Sequence, residues 1–380
     1  MKKRIIAAAS AFFLVINSSC SFKKENTDVL SGMKKTGSME LYYADQFKVD
    51  YYEDGFSHII IGDDEFLLVP EGEDAPEDTG DITILRQPID NIYAASSSSV
   101  DLFDGFGELD RIRMISTAEK DWCLPSVTEA LENEDISYIG KYSAPDYEAL
   151  IENDCDFVLE NSMIWHTPEV KEQIERLDIP VMVELSSYES HPLGRMEWMR
   201  LYGLLLGKSK EADEYFKKKS DLFESAVADE IPDNERKTAA FFSVSPNEYI
   251  NTRKPGDYIS KMIELAGGKY IFTGKDLNVD DNAMSTINIQ VETFYESAKD
   301  ADYLIYNSTV DGRLDSMEQL LEKCSILKDF KAVKEGNVWC TEQNMFQQTT
   351  GAADMILDLH TIFMGEANDN EQLSYLHRLK

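Results

Sequence analysis

One pattern, run twice, constrains what this chain can fold into: short apolar strands alternating with helical stretches. In the first run the strands are Ile92-Tyr-Ala-Ala, Ile112-Arg-Met-Ile, Ile136-Ser-Tyr-Ile, Phe157-Val-Leu and Ile179-Pro-Val-Met-Val. Helical stretches over 96–109, 146–152 and from Thr167-Pro168-Glu169 onward separate them, with Pro168 placed for a first helical turn. The second run has Thr238-Ala-Ala-Phe-Phe, Tyr303-Leu-Ile-Tyr and Val338-Trp-Cys, with helices over 258–266, 316–321 and 351–364. Apolar strands separated by helices predict a mostly parallel sheet covered on both faces. Between the runs, residues 192–228 read as one long helix whose apolar face includes Met196, Met199, Leu205, Ala212 and Phe216. The predicted fold class is α/β, with two Rossmann-like lobes joined by that helix. The boundaries are 85–191 for the N-terminal lobe, 192–228 for the connecting helix, 229–366 for the C-terminal lobe and 367–380 for a tail.

Residues 39–84, ahead of the first lobe, have a different texture. Phe47-Lys-Val-Asp-Tyr, His58-Ile-Ile-Ile-Gly and Phe66-Leu-Leu-Val are rich in β-branched and aromatic residues, with Asp54-Gly55 as a turn, so a small β-rich segment is expected. The first twenty residues describe an export signal: Lys2, Lys3 and Arg4, a largely apolar run over 5–16, then Asn17-Ser18-Ser19-Cys20. As a helix that run reaches roughly 18 Å, short of the ~30 Å hydrocarbon layer. The polar stretch over 21–38 suits a tether.

Chemistry narrows the function by elimination. With 37 basic against 71 acidic residues and a net charge of −34, the chain offers no basic face to nucleic acid. It has no GxSxG elbow and no phosphate loop, and Gly105-Phe-Gly107 lacks the rest of a dinucleotide fingerprint. None of its five His residues forms an HExxH or HxH pattern, and Cys123, Cys155, Cys324 and Cys340 have no zinc-site spacing. No nucleophile–base constellation emerges, so a binding protein is expected and not an enzyme.

Ligands of open α/β sheets sit beyond the carboxyl ends of the strands, and two facing lobes make a cleft there. The N-terminal lobe places Ser98, Trp122, Ser162, Met163, Trp165 and His166 near such ends. Arg195 opens the connecting helix, and Tyr249, Arg253, Asn307 and Asn344 follow strands of the C-terminal lobe. Each has a structural alternative. Trp122 and Trp165 suit packing, His166 suits a helix entrance, and Arg195 has Glu189 and Glu197 in reach. Arg253, in a loop after a strand, favours an anionic ligand, because a guanidinium bonds oxygens bidentately.

The lobes also echo each other. Tyr147-Glu148-Ala-Leu-Ile leads to Asp156-Phe-Val-Leu-Glu-Asn161-Ser162, and Val291-Glu292-Thr-Phe-Tyr leads to Asp302-Tyr-Leu-Ile-Tyr-Asn307-Ser308.

Several stretches resemble one family. Ser187-Tyr-Glu-Ser-His-Pro-Leu-Gly-Arg-Met-Glu-Trp followed by Gly203-Leu-Leu-Leu-Gly207-Lys, Gly140-Lys-Tyr-Ser-Ala-Pro-Asp-Tyr-Glu, Arg253-Lys-Pro-Gly-Asp-Tyr and Glu335-Gly-Asn-Val-Trp are similar to the iron-siderophore and cobalamin class of ABC-transporter substrate-binding proteins. The resemblance spans 43–365. It implies two lobes on a rigid helix, little cleft movement, and one Glu per lobe that docks on Arg residues of a permease dimer, here Glu148 and Glu292. Cys20 resembles the acylated Cys of a lipobox, although Asn17 stands where an aliphatic residue is usual, which implies a lipid-anchored, extracytoplasmic, monomeric protein. The implied ligand is a ferric siderophore or related iron chelate, with a corrinoid or haem as the alternative and no resident cofactor or metal. A surface enzyme or adhesin on the same fold is the reading from another class.

Overall fold

The computed structural model describes residues 30, 32–77, 79–226, 231–247, 249–367 and 373–380. The export signal, Cys20 and most of the expected tether lie outside them.

The first run of alternation folds into a five-stranded sheet, parallel throughout, in the order Val181–Glu184, Phe157–Asn161, Ile92–Ala94, Ile112–Ile115, Ser137–Tyr138. Ile92–Ala94 is central and the chain winds outward from it in both directions, which is the doubly wound arrangement. Phe157, Val158, Leu159, Ile112 and Met114 are fully buried, as expected where helices cover both faces. The direction of winding reverses between Ile92–Ala94 and Phe157–Asn161, so Ser96–Ser99 and 162–166 flank the crevice there.

The second run builds a seven-stranded sheet around Lys237–Val244. Gly268–Tyr270, Lys237–Val244, Tyr303–Tyr306 and Val338–Thr341 are parallel. Tyr249–Arg253, Thr286–Gln290 and Leu376–Arg378 are antiparallel additions at its margins. Residues 367–380, expected as a tail outside the lobe, therefore contribute an edge strand. Trp339 pairs with Arg378 in register, and the Lys380 carbonyl accepts from the Met317 N–H at 3.0 Å. Leu376 is buried in this strand, but a segment this short gives no periodic signal.

The stretch over 192–228, expected as one helix, is two: Pro192–Leu205 and Ser209–Ala226. Gly207 (φ +68) ends the first, with the Lys208 N–H bonded to the Gly203 carbonyl and the Gly207 N–H to that of Leu204. This is a Schellman cap. The second helix folds back: a Cβ on Gly203 would overlap that of Ala212, Arg200 reaches Asp213 at 2.7 Å, and His191 meets the Phe223 ring at 5.8 Å. Two small residues let the helices approach closely.

Residues 35–86 form a five-stranded sheet of their own: Lys35–Ser38, Phe47–Tyr52, Ser57–Ile61, Asp64–Val69 and Thr83–Arg86, antiparallel except for the last pair. The tether expectation over 21–38 is thus too long, because Lys35–Ser38 is already a strand. One face (Phe47, Val49, Ile59, Phe66, Leu68) joins the main core; the other (Leu67, Val69) packs with Leu30 and Phe56 in a second small core. Among the described residues no helix is long and apolar enough to cross a membrane.

Candidate functional site

The first helix of the linker pair touches both lobes, packing on Ser97–Gly105 from one side and on Tyr258–Leu265 and Ala352–Phe363 from the other. Its first turn therefore sits at the floor of the cleft. Arg195, 9% exposed, lays its guanidinium 4.1 Å over the Tyr258 ring. Arg253 approaches the same ring at 5.8 Å and faces Phe346 at 5.1 Å and Phe241 at 5.8 Å. A cation over an aromatic face is held by the ring quadrupole, more firmly where water is excluded.

Charge here is unbalanced. Arg253 has Asp257 at 3.5 Å, whereas Arg195 pairs with neither Glu189 nor Glu197, and its buried Nε has no partner. Glu189 and Glu197 are committed to backbone N–H groups of residues 42–46 instead. Burial pushes the Asp257 carboxyl up, opposed by Arg253, the Ile259 N–H and Arg195. Two guanidinium groups and one carboxylate leave a net positive charge on an aromatic floor, a fit for an anion. The adjoining recess, lined by Arg195, Tyr258, Met345, Thr349 and Tyr375 among others, encloses about 20 Å³. That is room for about one water, so it can take the end of a charged group and not a whole chelate.

Residues 343–351 of the C-terminal lobe form the other wall and bond across to the N-terminal lobe. Gln347 accepts from the Cys123 N–H at 2.7 Å and donates to the Asp121 carbonyl at 2.8 Å. The Thr349 hydroxyl donates to the Ser98 carbonyl, and the Thr350 N–H to Asp101 at 2.7 Å. Burial raises the Asp101 carboxyl to about 6 against that hydrogen bond.

The expected site residues sort into three groups. Arg195 and Arg253 converge at Tyr258, with Ser98 and Asn344 beside them: Ser98 through its carbonyl, Asn344 through a 2.7 Å bond to Gln348 on the recess wall. Arg253 is the last residue of a strand and not in the following loop. A second group lines the N-terminal rim. Met163 (48% exposed) and Trp165 (54%) stand out from the turn Ser162–His166, and Trp165 lies 6.2 Å from the exposed Tyr188 ring. Ser162 and His166 flank them, and Tyr249 is exposed on the opposite lobe, paired with Gln290.

The third group is buried, with its side-chain polar atoms bonded to nearby backbone. Trp122 is buried, its indole N–H spent on the Thr117 carbonyl at 3.0 Å; the following backbone amide joins the interlobe contact. Asn307 is 4% exposed, and its side-chain oxygen caps the turn after it by accepting from the Thr309 N–H. Sequence reasoning missed Tyr258, Phe346 and Gln347, because their significance lies in contacts between elements far apart in the chain.

Glu148 and Glu292 are exposed second residues of the helices Tyr147–Glu152 and Val291–Ala298. Each helix precedes in sequence the strand, Phe157–Asn161 or Tyr303–Tyr306, that carries or is followed by the Asn-Ser pair.

Two doubly wound lobes meeting at a linker helix, with strand ends facing across a cleft, define a solute-binding class of protein. The chain belongs to the periplasmic binding protein family, whose model matches residues 92–344. The family is a substrate-binding class: its members act outside the cytoplasm, bind small ligands and work with the membrane permeases of ABC transporters. An uncharacterized lipoprotein of Methanocaldococcus jannaschii is 25% identical over 320 residues, covering 80% of this chain and 73% of that one. A periplasmic binding protein from Veillonella parvula superposes with a TM-score of 0.59 at 16% identity, covering 84% of this chain and 98% of its own. A periplasmic haem-binding protein from Pseudomonas aeruginosa does so with a TM-score of 0.57 at 13% identity, covering 77% and 98%. At such identities the two structures share the fold alone.

Proposed function

We propose that this protein captures a ferric siderophore or related iron chelate and delivers it to an ABC permease dimer, acting as a monomer held to the membrane through an acylated Cys20. The observation that carries this reading is the pair of guanidinium groups, Arg195 and Arg253, sharing the Tyr258 ring with one carboxylate between them. Such a floor suits a bulky anionic cargo that brings its own metal donors. Among the described residues no cluster of three or more His, Cys, Asp or Glu could hold a bare ion. A corrinoid or haem is the second reading, favoured by the exposed Trp165–Tyr188 pair, which offers a flat macrocycle a stacking surface.

Intrinsic fluorescence decides between them. Trp165 is the exposed indole; Trp122, Trp198 and Trp339 are buried. Titration with ferric catecholates, ferric hydroxamates, haem and cobalamin should give saturable quenching by an anionic iron chelate, lost in Trp165→Phe. Arg253→Ala should weaken that chelate by about 10–100-fold, the worth of a hydrogen bond to a charged group. A response confined to haem or cobalamin promotes the second reading, and no response to any of the four sinks both.

Glu148 and Glu292 are the permease contacts in this reading, rim charges that steer encounter and register. Replacing both by Ala should abolish uptake and leave ligand affinity unchanged, and weakened binding by the isolated protein would count against the assignment. Cys20→Ser should move the protein out of the membrane fraction; continued retention there would end the lipid-anchor claim.

A further inference from the structure

The sheet of residues 35–86 contributes no residue to the recess at Arg195, yet the linker helix Pro192–Leu205 spends its one carboxylate on it. Glu197, fully buried, accepts from the N–H groups of Tyr42 (2.9 Å), Tyr43 (2.8 Å) and Ala44 (2.9 Å). Arg200 neutralises it at 2.8 Å, and also holds the Glu40 carbonyl and Asp213 of the returning helix. Just ahead of the helix, Glu189 accepts from the N–H groups of Asp45 and Gln46 and from the Trp198 indole. Phe47, opening the second strand, packs edge-on to Trp198 at 4.9 Å. Gly194 admits this lead-in, since a Cβ there would stand 2.9 Å from the Tyr43 carbonyl oxygen.

The chain leaves the sheet at the other end of the same helix. Gln87, one residue beyond Thr83–Arg86, donates to the Leu204 and Leu205 carbonyls at 2.9 and 3.0 Å. Both are last-turn acceptors, of which the Leu204 carbonyl also takes the Gly207 N–H of the cap. They also lie at the Schellman turn, where the linker is interrupted and would bend first. The sheet is thus fastened to the linker helix before its first turn, at its middle and at its end, over the roughly 21 Å that fourteen residues span. Freeing it would strand buried carboxylates without their donors, a heavy penalty.

We propose that this sheet is a splint: by gripping both ends of the linker helix it fixes the angle between the lobes. This holds whatever the ligand. It also gives the buried Glu189 and Glu197 a purpose that neither the cleft nor the lobes require.

The test combines hydrogen exchange with an interlobe distance. Nitroxides at Glu132→Cys and Glu322→Cys, exposed on opposite lobes, are introduced with Cys20 and Cys123 replaced by Ser; Cys155, Cys324 and Cys340 are buried. In Glu197→Gln the distance distribution should broaden, and amides of 192–205 should exchange about tenfold faster than in the parent, while 352–363 stays protected. Gln87→Ala, which removes only the two bonds at the partly exposed end, should move both readouts the same way more weakly. It keeps the test alive if Glu197→Gln fails to fold. Faster exchange confined to 39–86, with 192–205 and the distance distribution unchanged, would show a passenger and overturn the proposal.

Discussion

The two lobes carry the same short motif at the end of an inner strand, and they use it alike at one position and differently on either side of it. Asn161 and Asn307 are interchangeable in role: each turns its side-chain oxygen onto the N–H two residues on, capping the turn that follows. After the cap they diverge. In the N-terminal lobe the turn pushes Met163 and Trp165 into solvent. In the C-terminal lobe Ser308 is buried and bonds Thr341 at 3.0 Å. Before the cap the contrast is chemical. Glu160 and Tyr306 occupy equivalent places, both fully buried, and no polar atom of either side chain has a partner. An internal repeat of this kind marks a shared backbone need; the side chains around it are free to take on different work.

Breaking the pre-cap pair should give the largest effect. Burial raises the Glu160 carboxyl from 4.5 to about 8. The folded state therefore holds a proton that the unfolded chain releases, so this stability is complete below about pH 4.5 and is lost as pH rises through about 8. The full swing is worth roughly 4–5 kcal/mol. Glu160→Gln should match the parent near pH 4.5 and unfold at clearly higher temperature at pH 9; parallel pH profiles would contradict the assignment. Next comes the shared cap. Asn307→Ala should cost about 1–2 kcal/mol, and the part-exposed Asn161→Ala somewhat less, both read from denaturant midpoints. The smallest effect belongs to Tyr306→Phe. Its hydroxyl bonds nothing in a buried site, so removal should be neutral or stabilising by up to about 1 kcal/mol in the same assay.

Much of the fold was legible because alternation is a local signal. The strands from Ile92, Phe157, Tyr303 and Val338 begin where their apolar runs begin, and Pro168 does open a helix. The linker break was harder to see. Gly203 and Gly207 look alike in sequence, yet one serves close packing against Ala212 and the other a positive φ, a distinction that exists only once the returning helix is in place. The site was legible in part for a related reason. Arg195 and Arg253 invite attention as guanidinium groups near the opening of a helix and the end of a strand. Their meeting point, the Tyr258 ring, depends on how two helices and a strand come together, and no spacing encodes that. For Trp122 the sequence leaves both readings open, because an aromatic near a strand end has the same signature whether its indole faces a ligand or a backbone carbonyl.

The edge strand Leu376–Arg378 has a consequence in time. It pairs with Val338–Thr341 through the Trp339, Cys340 and Thr341 positions, and Tyr375 just ahead of it lines the recess and packs against Gly351. A chain that leaves a ribosome or a translocation pore N-terminus first can assemble its splint and first lobe long before these residues emerge. Tyr375 follows every other residue that lines the recess, so that wall closes only once the chain as far as residue 378 is free to fold.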